Sequence, residues 1–106
     1  MATTRDRTLD KIVERVVETE HPERIILFGS RARRTARPGS DYDLLVVKES
    51  SQPRYRRSVQ LYARLSDIPA EVDILVYTPE EIHEWSAVPQ AFVTTAIREG
   101  RVLYER

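Results

Sequence analysis

The sequence predicts an α/β domain on a small sheet, two or three layers thick, and three observations carry that prediction. Helical and strand-like periodicities alternate along the chain, four short apolar or alternating runs read as strands, and no repeat or low-complexity tract interrupts them. The 106 residues suit one domain, residues 1–106, that hides roughly two thirds of the surface its unfolded chain exposes.

The first helix runs from about residue 5 to Glu20, because Leu9, Ile12, Val13, Val16 and Val17 fall on one helical face; His21-Pro22 stops it. RIILF, residues 24–28, is a buried strand closed by Gly29. Residues 30–37 are polar and Arg-rich, so a short helix opening at Gly29-Ser30 is expected, with Pro38-Gly39 as the following turn. DYDLLVVK, residues 41–48, is a second strand with Tyr42, Leu44 and Val46 on one face and Asp41, Asp43, Leu45 and Val47 on the other. A helix is expected from Arg54 to Asp67, with Tyr55, Val59, Tyr62 and Leu65 at helical spacing, ended by Ile68-Pro69. EVDILVY, residues 71–77, alternates as a third strand that sets Val72, Ile74 and Val76 against Asp73, Leu75 and Tyr77. Thr78-Pro79-Glu80-Glu81 reads as a capping box opening a helix anchored by Ile82 and Trp85. Pro89, Phe92, Val93, Ala96 and Ile97 share a face of the last helix, Gly100 is its C-cap, and RVLYE is a fourth strand.

Composition narrows the function classes. Seventeen Lys+Arg against 17 Asp+Glu leave zero net charge, which argues against nucleic-acid binding through bulk charge. The balance is uneven, with 14 basic and 10 acidic residues over 1–70 and 3 and 7 over 71–106. Without cysteine there is no disulfide framework and no thiolate metal site. The start MATTRDRTLDKI lacks an apolar signal core, and no stretch approaches the roughly 18 apolar residues that span a bilayer. A soluble cytoplasmic protein is expected.

Three aspartates stand where strands should be apolar. Asp41 and Asp43 share a strand face, about 6.6–6.8 Å apart along the chain, where they repel each other and cost free energy to bury. Asp73 repeats the pattern in the next strand. Asp41 alone reads as a turn residue after Ser40, but Asp43 and Asp73 lie inside apolar runs. If the two strands are neighbours, the three carboxylates converge, and an all-oxygen set without His or Cys suits Mg²⁺ or Mn²⁺. Such an ion completes its shell with water and substrate phosphates, which points to phosphoryl or nucleotidyl chemistry. Gly29-Ser30 alone reads as a common turn, but beside the aspartates it gains as a phosphate site: glycine admits close backbone approach, and the N–H groups that follow, with a hydroxyl beside them, attract an anion. Arg31 and Arg33 are candidates for bidentate phosphate contact, although an Arg run on an exposed helix is commonly just solvated. Arg54, Arg56 and Arg57 read as surface or partner-facing, and His21 and His83 show no ligand spacing. Trp85, Phe92 and the tyrosines read as core or interface.

Gly29-Ser30, ten residues, then Asp41-Tyr42-Asp43 matches the GSx(10)DxD signature, and the chain resembles the DNA polymerase beta-type nucleotidyltransferase superfamily, most of all its small minimal nucleotidyltransferases. The resemblance covers nearly the whole chain and implies the nucleotidyltransferase fold, a small mixed sheet of about four strands packed with helices. It implies that Ser30 and the Gly29 backbone hold the triphosphate of ATP, that Asp41 and Asp43 bind two Mg²⁺ ions, and that Asp73 ligates the catalytic metal and helps deprotonate the attacking hydroxyl. One departure is visible: related sequences often continue GSRARG, whereas position 34 here is Arg.

The resemblance further implies a partner. Minimal nucleotidyltransferases are commonly encoded beside a HEPN-domain ribonuclease toxin and act as its antitoxin, transferring AMP from ATP to a toxin tyrosine. Two other readings stand beside that one. The first is a non-catalytic module that neutralises the toxin by contact; the retained carboxylates argue against it. The second is transfer to an RNA end or a small-molecule hydroxyl, disfavoured by zero net charge and by the absence of an acceptor domain.

Overall fold

The computed structural model describes residues 6–37 and 39–106. Its elements, in order, are α1 (Arg7–Glu20), β1 (Arg24–Phe28), β2 (Tyr42–Val47), α2 (Arg54–Arg57), α3 (Val59–Arg64), β3 (Val72–Tyr77), α4 (Pro79–Trp85), α5 (Phe92–Glu99) and β4 (Arg101–Glu105). The sheet order is β3-β2-β1-β4; β1 pairs antiparallel with β2 and β4, while β2 and β3 run parallel. This is the mixed four-stranded sheet expected.

Strand alternation sorts the core into two layers. Ile25, Leu27, Leu44, Val46, Ile74 and Val76 meet Leu9, Ile12 and Val16 of α1 and Leu61, Leu65 and Ile68 from the α3 side. On the opposite face Ile26, Leu45, Val47 and Tyr77 meet Val93 of α5, with Ile82 and Ile97 packed against them. The domain is therefore three layers thick. By alternation Asp43 and Asp73 belong to the face of Leu45 and Leu75, the α4–α5 side.

The helix ends follow their cap chemistry. Asp6 caps α1 by accepting from the Leu9 N–H at 2.9 Å, and His21 ends it in the left-handed region at φ 48°. The expected start at residue 5 lies outside the described residues. The capping box at Thr78 and Glu81 is present, with Pro79 at N1. Gly100 does cap α5, but at φ −83° its backbone is not left-handed. A Cβ there would fall 2.5 Å from the Ala96 carbonyl and 2.6 Å from Ile26, so close approach is what calls for glycine.

Two expected helices differ. Residues 30–37 form turns, not a helix. The Ala32 and Arg33 N–H groups both bond the Gly29 carbonyl, Arg34 turns left-handed at φ 60°, and the Thr35 N–H closes back on the Ser30 carbonyl at 2.9 Å, the six-to-one bond of a helix stop. Of the Pro38-Gly39 turn, Pro38 lies outside the described residues; the Ser40 N–H to Arg37 carbonyl bond and Gly39 at φ 87° close the turn. The helix expected from Arg54 to Asp67 is broken into α2 and α3 at Ser58, and α3 ends at Arg64. Leu61 and Leu65 point inward, while Tyr55 is 79% and Val59 63% exposed.

The same segment covers the open edge of β3. The Ile74 N–H donates to the Tyr62 hydroxyl at 2.8 Å, and Arg57 donates to the Val76 carbonyl at 3.1 Å. Arg57, expected at the surface, is thus largely buried: its side chain is 9% exposed and pairs bidentately with Glu81 at 2.6 and 3.2 Å. Trp85, expected as an anchor, is 39% exposed, because the seven-residue α4 sends only Ile82 to the core.

Candidate active site

The site lies where β1 ends and where β2 and β3 begin. Parallel pairing sets Asp43 directly beside Asp73, and antiparallel pairing sets Asp43 opposite Phe28, next to Gly29. Two carboxylates in register on neighbouring strands, about 4.8 Å apart, have no slack in the backbone with which to separate. Burial pushes the Asp43 carboxyl above its ordinary proton affinity, and the charges of Asp73 and Asp41 and a side-chain hydrogen bond with Asp73 push it further; Arg33 opposes them. Asp43 is half-buried, whereas Asp41 and Asp73 are exposed.

Gly29 is required by this carboxylate. Its φ of 75° is left-handed, and a Cβ on it would run into the Asp43 carboxylate. The glycine therefore lets the strand end turn while Asp43 lies against its Cα. In the turn that follows, the Ala32 and Arg33 N–H groups are spent on the Gly29 carbonyl; among the described residues the Ser30 and Arg31 N–H groups have no backbone acceptor. Successive backbone N–H groups without a backbone acceptor are the donors from which phosphate-receiving turns are built.

The arginines separate. Arg31 donates through Nε and Nη2 to the Ser40 carbonyl at 3.0 and 2.8 Å, and its guanidinium lies 3.9 Å over the Tyr42 ring. It also stands 3.8 Å from Asp6, so it closes the loop from Ser30 to Ser40 from within. Arg33 is exposed and near enough to Asp43 to lower its proton affinity. Sequence reasoning missed the clamp that Arg31 makes with Asp6 and Tyr42. The Tyr42 hydroxyl donates to both Asp6 oxygens at 3.0 and 2.8 Å, pinning the residue between Asp41 and Asp43 to the start of α1. The available signal was Tyr42 itself, a polar-tipped residue on the apolar face of β2 that needs a buried partner.

Among the described residues no three His, Cys, Asp or Glu side chains are gathered as a ready metal shell. The donor chemistry nonetheless fits a hard cation. Asp43 and Asp73 are adjacent carboxylates that form no ion pair among the described residues, and burial with the neighbouring negative charges raises the proton affinity of Asp43. A divalent ion between them would supply positive charge that both carboxylates accept. Neither His21, which caps α1, nor His83 on α4 stands with these carboxylates on the strands, as their spacing suggested.

Fold and site together define an α/β protein of the nucleotidyltransferase class. The sequence profile of "Polymerase beta, Nucleotidyltransferase" matches residues 10–106, and the chain belongs to that family. Among solved structures, a Sulfolobus solfataricus protein described as a nucleotidyltransferase is similar over 94% of this chain and 79% of its own, with TM-score 0.67 and 22% identity. A toxin–antitoxin structure with AMP-PNP is similar over 92% of this chain and 73% of its own, with TM-score 0.61 and 23% identity. A mutant of the MntA–HpeT toxin–antitoxin pair matches over 92% and 72%, with TM-score 0.61 and 19% identity. Identities this low establish the shared fold. Comparison with curated protein sequences gave no match. Among the described residues no helix is long and apolar enough to cross a membrane.

Proposed function

We propose that the chain is a Mg²⁺-dependent adenylyltransferase that moves AMP from ATP to a tyrosine hydroxyl of a HEPN-domain toxin and thereby acts as its antitoxin. The observation that carries this reading is the in-register Asp43–Asp73 pair, with Asp43 set against Gly29 at the turn whose Ser30 and Arg31 N–H groups have no backbone acceptor. The toxin–antitoxin neighbours, one of them solved with AMP-PNP, favour ATP and a toxin as the two substrates.

The residues divide the work as follows. The Ser30 and Arg31 N–H groups and the Ser30 hydroxyl receive the triphosphate, and Arg33 adds charge beside it. Arg31 holds the loop in shape through Ser40 and Tyr42. Asp41, Asp43 and Asp73 would hold Mg²⁺, with Mn²⁺ as the alternative, and the bound cations supply charge stabilisation to the entering and leaving oxygens. Asp73 takes the proton of the attacking hydroxyl. The hydroxyl oxygen forms a bond to the α-phosphorus as the α–β bridging P–O bond breaks, and pyrophosphate departs with the electron pair.

Incubation with labelled ATP, Mg²⁺ and the protein encoded beside the chain tests this. Label on a tyrosine of that protein is expected. Tight association without label sinks the reading. If an Asp41→Asn, Asp43→Asn double variant still protects cells from the toxin, neutralisation is by contact.

A further inference from the structure

We infer that the acceptor hydroxyl arrives over the edge of β3, carried by an apolar protein segment with an acidic side chain that lies in the groove between β3 and α2–α3. The inference rests on the transferase reading above and adds to it where the acceptor binds and what chemistry it presents.

In-line displacement puts the entering oxygen opposite the leaving one. In the order β3-β2-β1, Gly29 at the end of β1 and Asp73 at the head of β3 flank Asp43 on opposite sides, each about one strand spacing, about 4.8 Å, away. With pyrophosphate leaving toward the Gly29-Ser30 turn, the hydroxyl must approach from Asp73, and β3 is an edge strand. Two cavities run along that edge. One, of about 430 Å³, is lined by Tyr62, Glu71 and Asp73; the other, of about 400 Å³, by Arg54, Tyr55 and Ile74–Val76. Together they follow β3 from Asp73 to Val76.

The groove also specifies its occupant. Tyr55 and Tyr62 leave aromatic surface exposed along it. The Ile74 N–H and the Val76 carbonyl on this edge are bonded by the side chains of Tyr62 and Arg57, which an added strand would have to displace. A helix or loop that binds through side chains displaces neither. Charge polarises the groove: Glu71 and Asp73 lie at one end, and at the other the half-exposed guanidinium of Arg54 stands 3.8 Å from Glu81, a single carboxylate that Arg57 already pairs, so the two arginines keep a positive excess there. From Asp73 to Val76 is three strand rises, about 10 Å, so an acid that meets Arg54 stands about 10 Å from the hydroxyl, or seven residues along a helix.

The test uses a helical Ala/Leu peptide bearing Tyr and, seven residues away, Glu, titrated into the isotopically labelled chain without nucleotide or divalent ion. Amide shifts are expected at residues 54–62 and 72–76, weakened at least five-fold in affinity when Lys replaces Glu or when Tyr55→Asp is introduced. Val102→Asp, an exposed site on the opposite edge strand, leaves them unchanged. Shifts confined to residues 29–33 and 92–99, or none at millimolar peptide, overturn the inference. So does a dimer of the chain that Tyr55→Asp dissolves, because the groove is then a self-interface. Transfer of label to the peptide distinguishes the two readings. Shifts without transfer to any acceptor defeat the reaction and leave the groove; transfer with shifts on the β1 side defeats the groove and leaves the reaction.

Discussion

Replacing Asp43 by Asn should abolish transfer and yet stabilise the cation-free fold. Asp43 and Asp73 are paired in register, and two unit charges about 4.8 Å apart repel by about 0.9 kcal/mol at the dielectric of water and about 3.5 kcal/mol at an effective value of 20. Asp73 is exposed and Asp43 half-buried, so a figure of about 1–2 kcal/mol is appropriate. Asparagine keeps the shape that fits against Gly29, and its amide can donate to Asp73. For a chain of this length the expected rise in Tm at pH 7 is roughly 4–12 °C. The pH dependence fixes the cause. Burial, Asp73 and Asp41 raise the Asp43 carboxyl above its ordinary value of 3.8 in the fold. The native state therefore binds this proton more tightly than the unfolded chain does, and wild-type stability falls as pH rises from that value through the raised one. The advantage of the variant should be present above that window and vanish below it.

The assay is thermal unfolding followed by circular dichroism, from pH 3.5 to 8, with and without Mg²⁺. Magnesium at tenfold its Kd adds about 1.4 kcal/mol to wild type, which closes most of the gap, and adds little to the variant. A variant less stable than wild type at pH 7, a gap that persists at pH 3.5, or a gap untouched by Mg²⁺ refutes the reasoning.

Three further outcomes are expected. Gly29→Ala forces a left-handed alanine and a clash with the Asp43 carboxylate, so it should cost about 1–3 kcal/mol in urea denaturation and reduce turnover as the carboxylate moves. Arg57→Met removes the partner of Glu81, whose carboxyl is held below its ordinary value by its hydrogen bond with Arg57. A loss of about 2–3 kcal/mol at pH 7 is expected, shrinking as pH falls through that lowered value, because the pair's contribution is present above the ordinary pKa and lost with protonation. Arg34→Gly relieves φ 60° and should gain up to about 1 kcal/mol in the same denaturation, with nucleotide affinity by calorimetry unchanged; a tenfold weaker affinity would show that Arg34 serves the phosphates.

The strands and their acids were legible because a period of two is short enough to survive in six residues. β1 agrees with the sequence residue for residue, and β2 and β3 to within one residue at each end. The convergence of Asp43 and Asp73 needed only that the strands be neighbours. The polar turn was not legible, since nothing in RARRTAR announces that Arg34 will adopt a conformation that glycine usually fills; the GSRARG pattern of related sequences was the only hint. Nor was the break at Ser58. The packed face was misassigned as well: Val59 and Leu61 stand about 200° apart on α3, and Leu61 with Leu65 points inward while Tyr55 and Val59 stay outside.

Strain and repulsion gather at one end of the sheet and satisfied charge at the other. At the Asp end stand two adjacent carboxylates, a left-handed Gly29 and a left-handed Arg34. At the far end Lys48 pairs with Glu20 at 3.1 Å, and Arg57 with Glu81 at 2.6 Å. A chain of 106 residues has few kilocalories to spare, so costs of about 1 kcal/mol each persist only where the rest of the fold over-determines them. The clamp of Asp6, Tyr42 and Arg31 provides that here, because it fixes the residue between Asp41 and Asp43 and the loop before it from a separate helix. Tyr42→Phe separates the two roles of the tyrosine: it keeps the ring under Arg31 and loses the bonds to Asp6. It should therefore loosen the Asp pair, lowering kcat with little change in the binding of ATP to the turn. Equal losses in both would mean that the turn and the carboxylates move as one body.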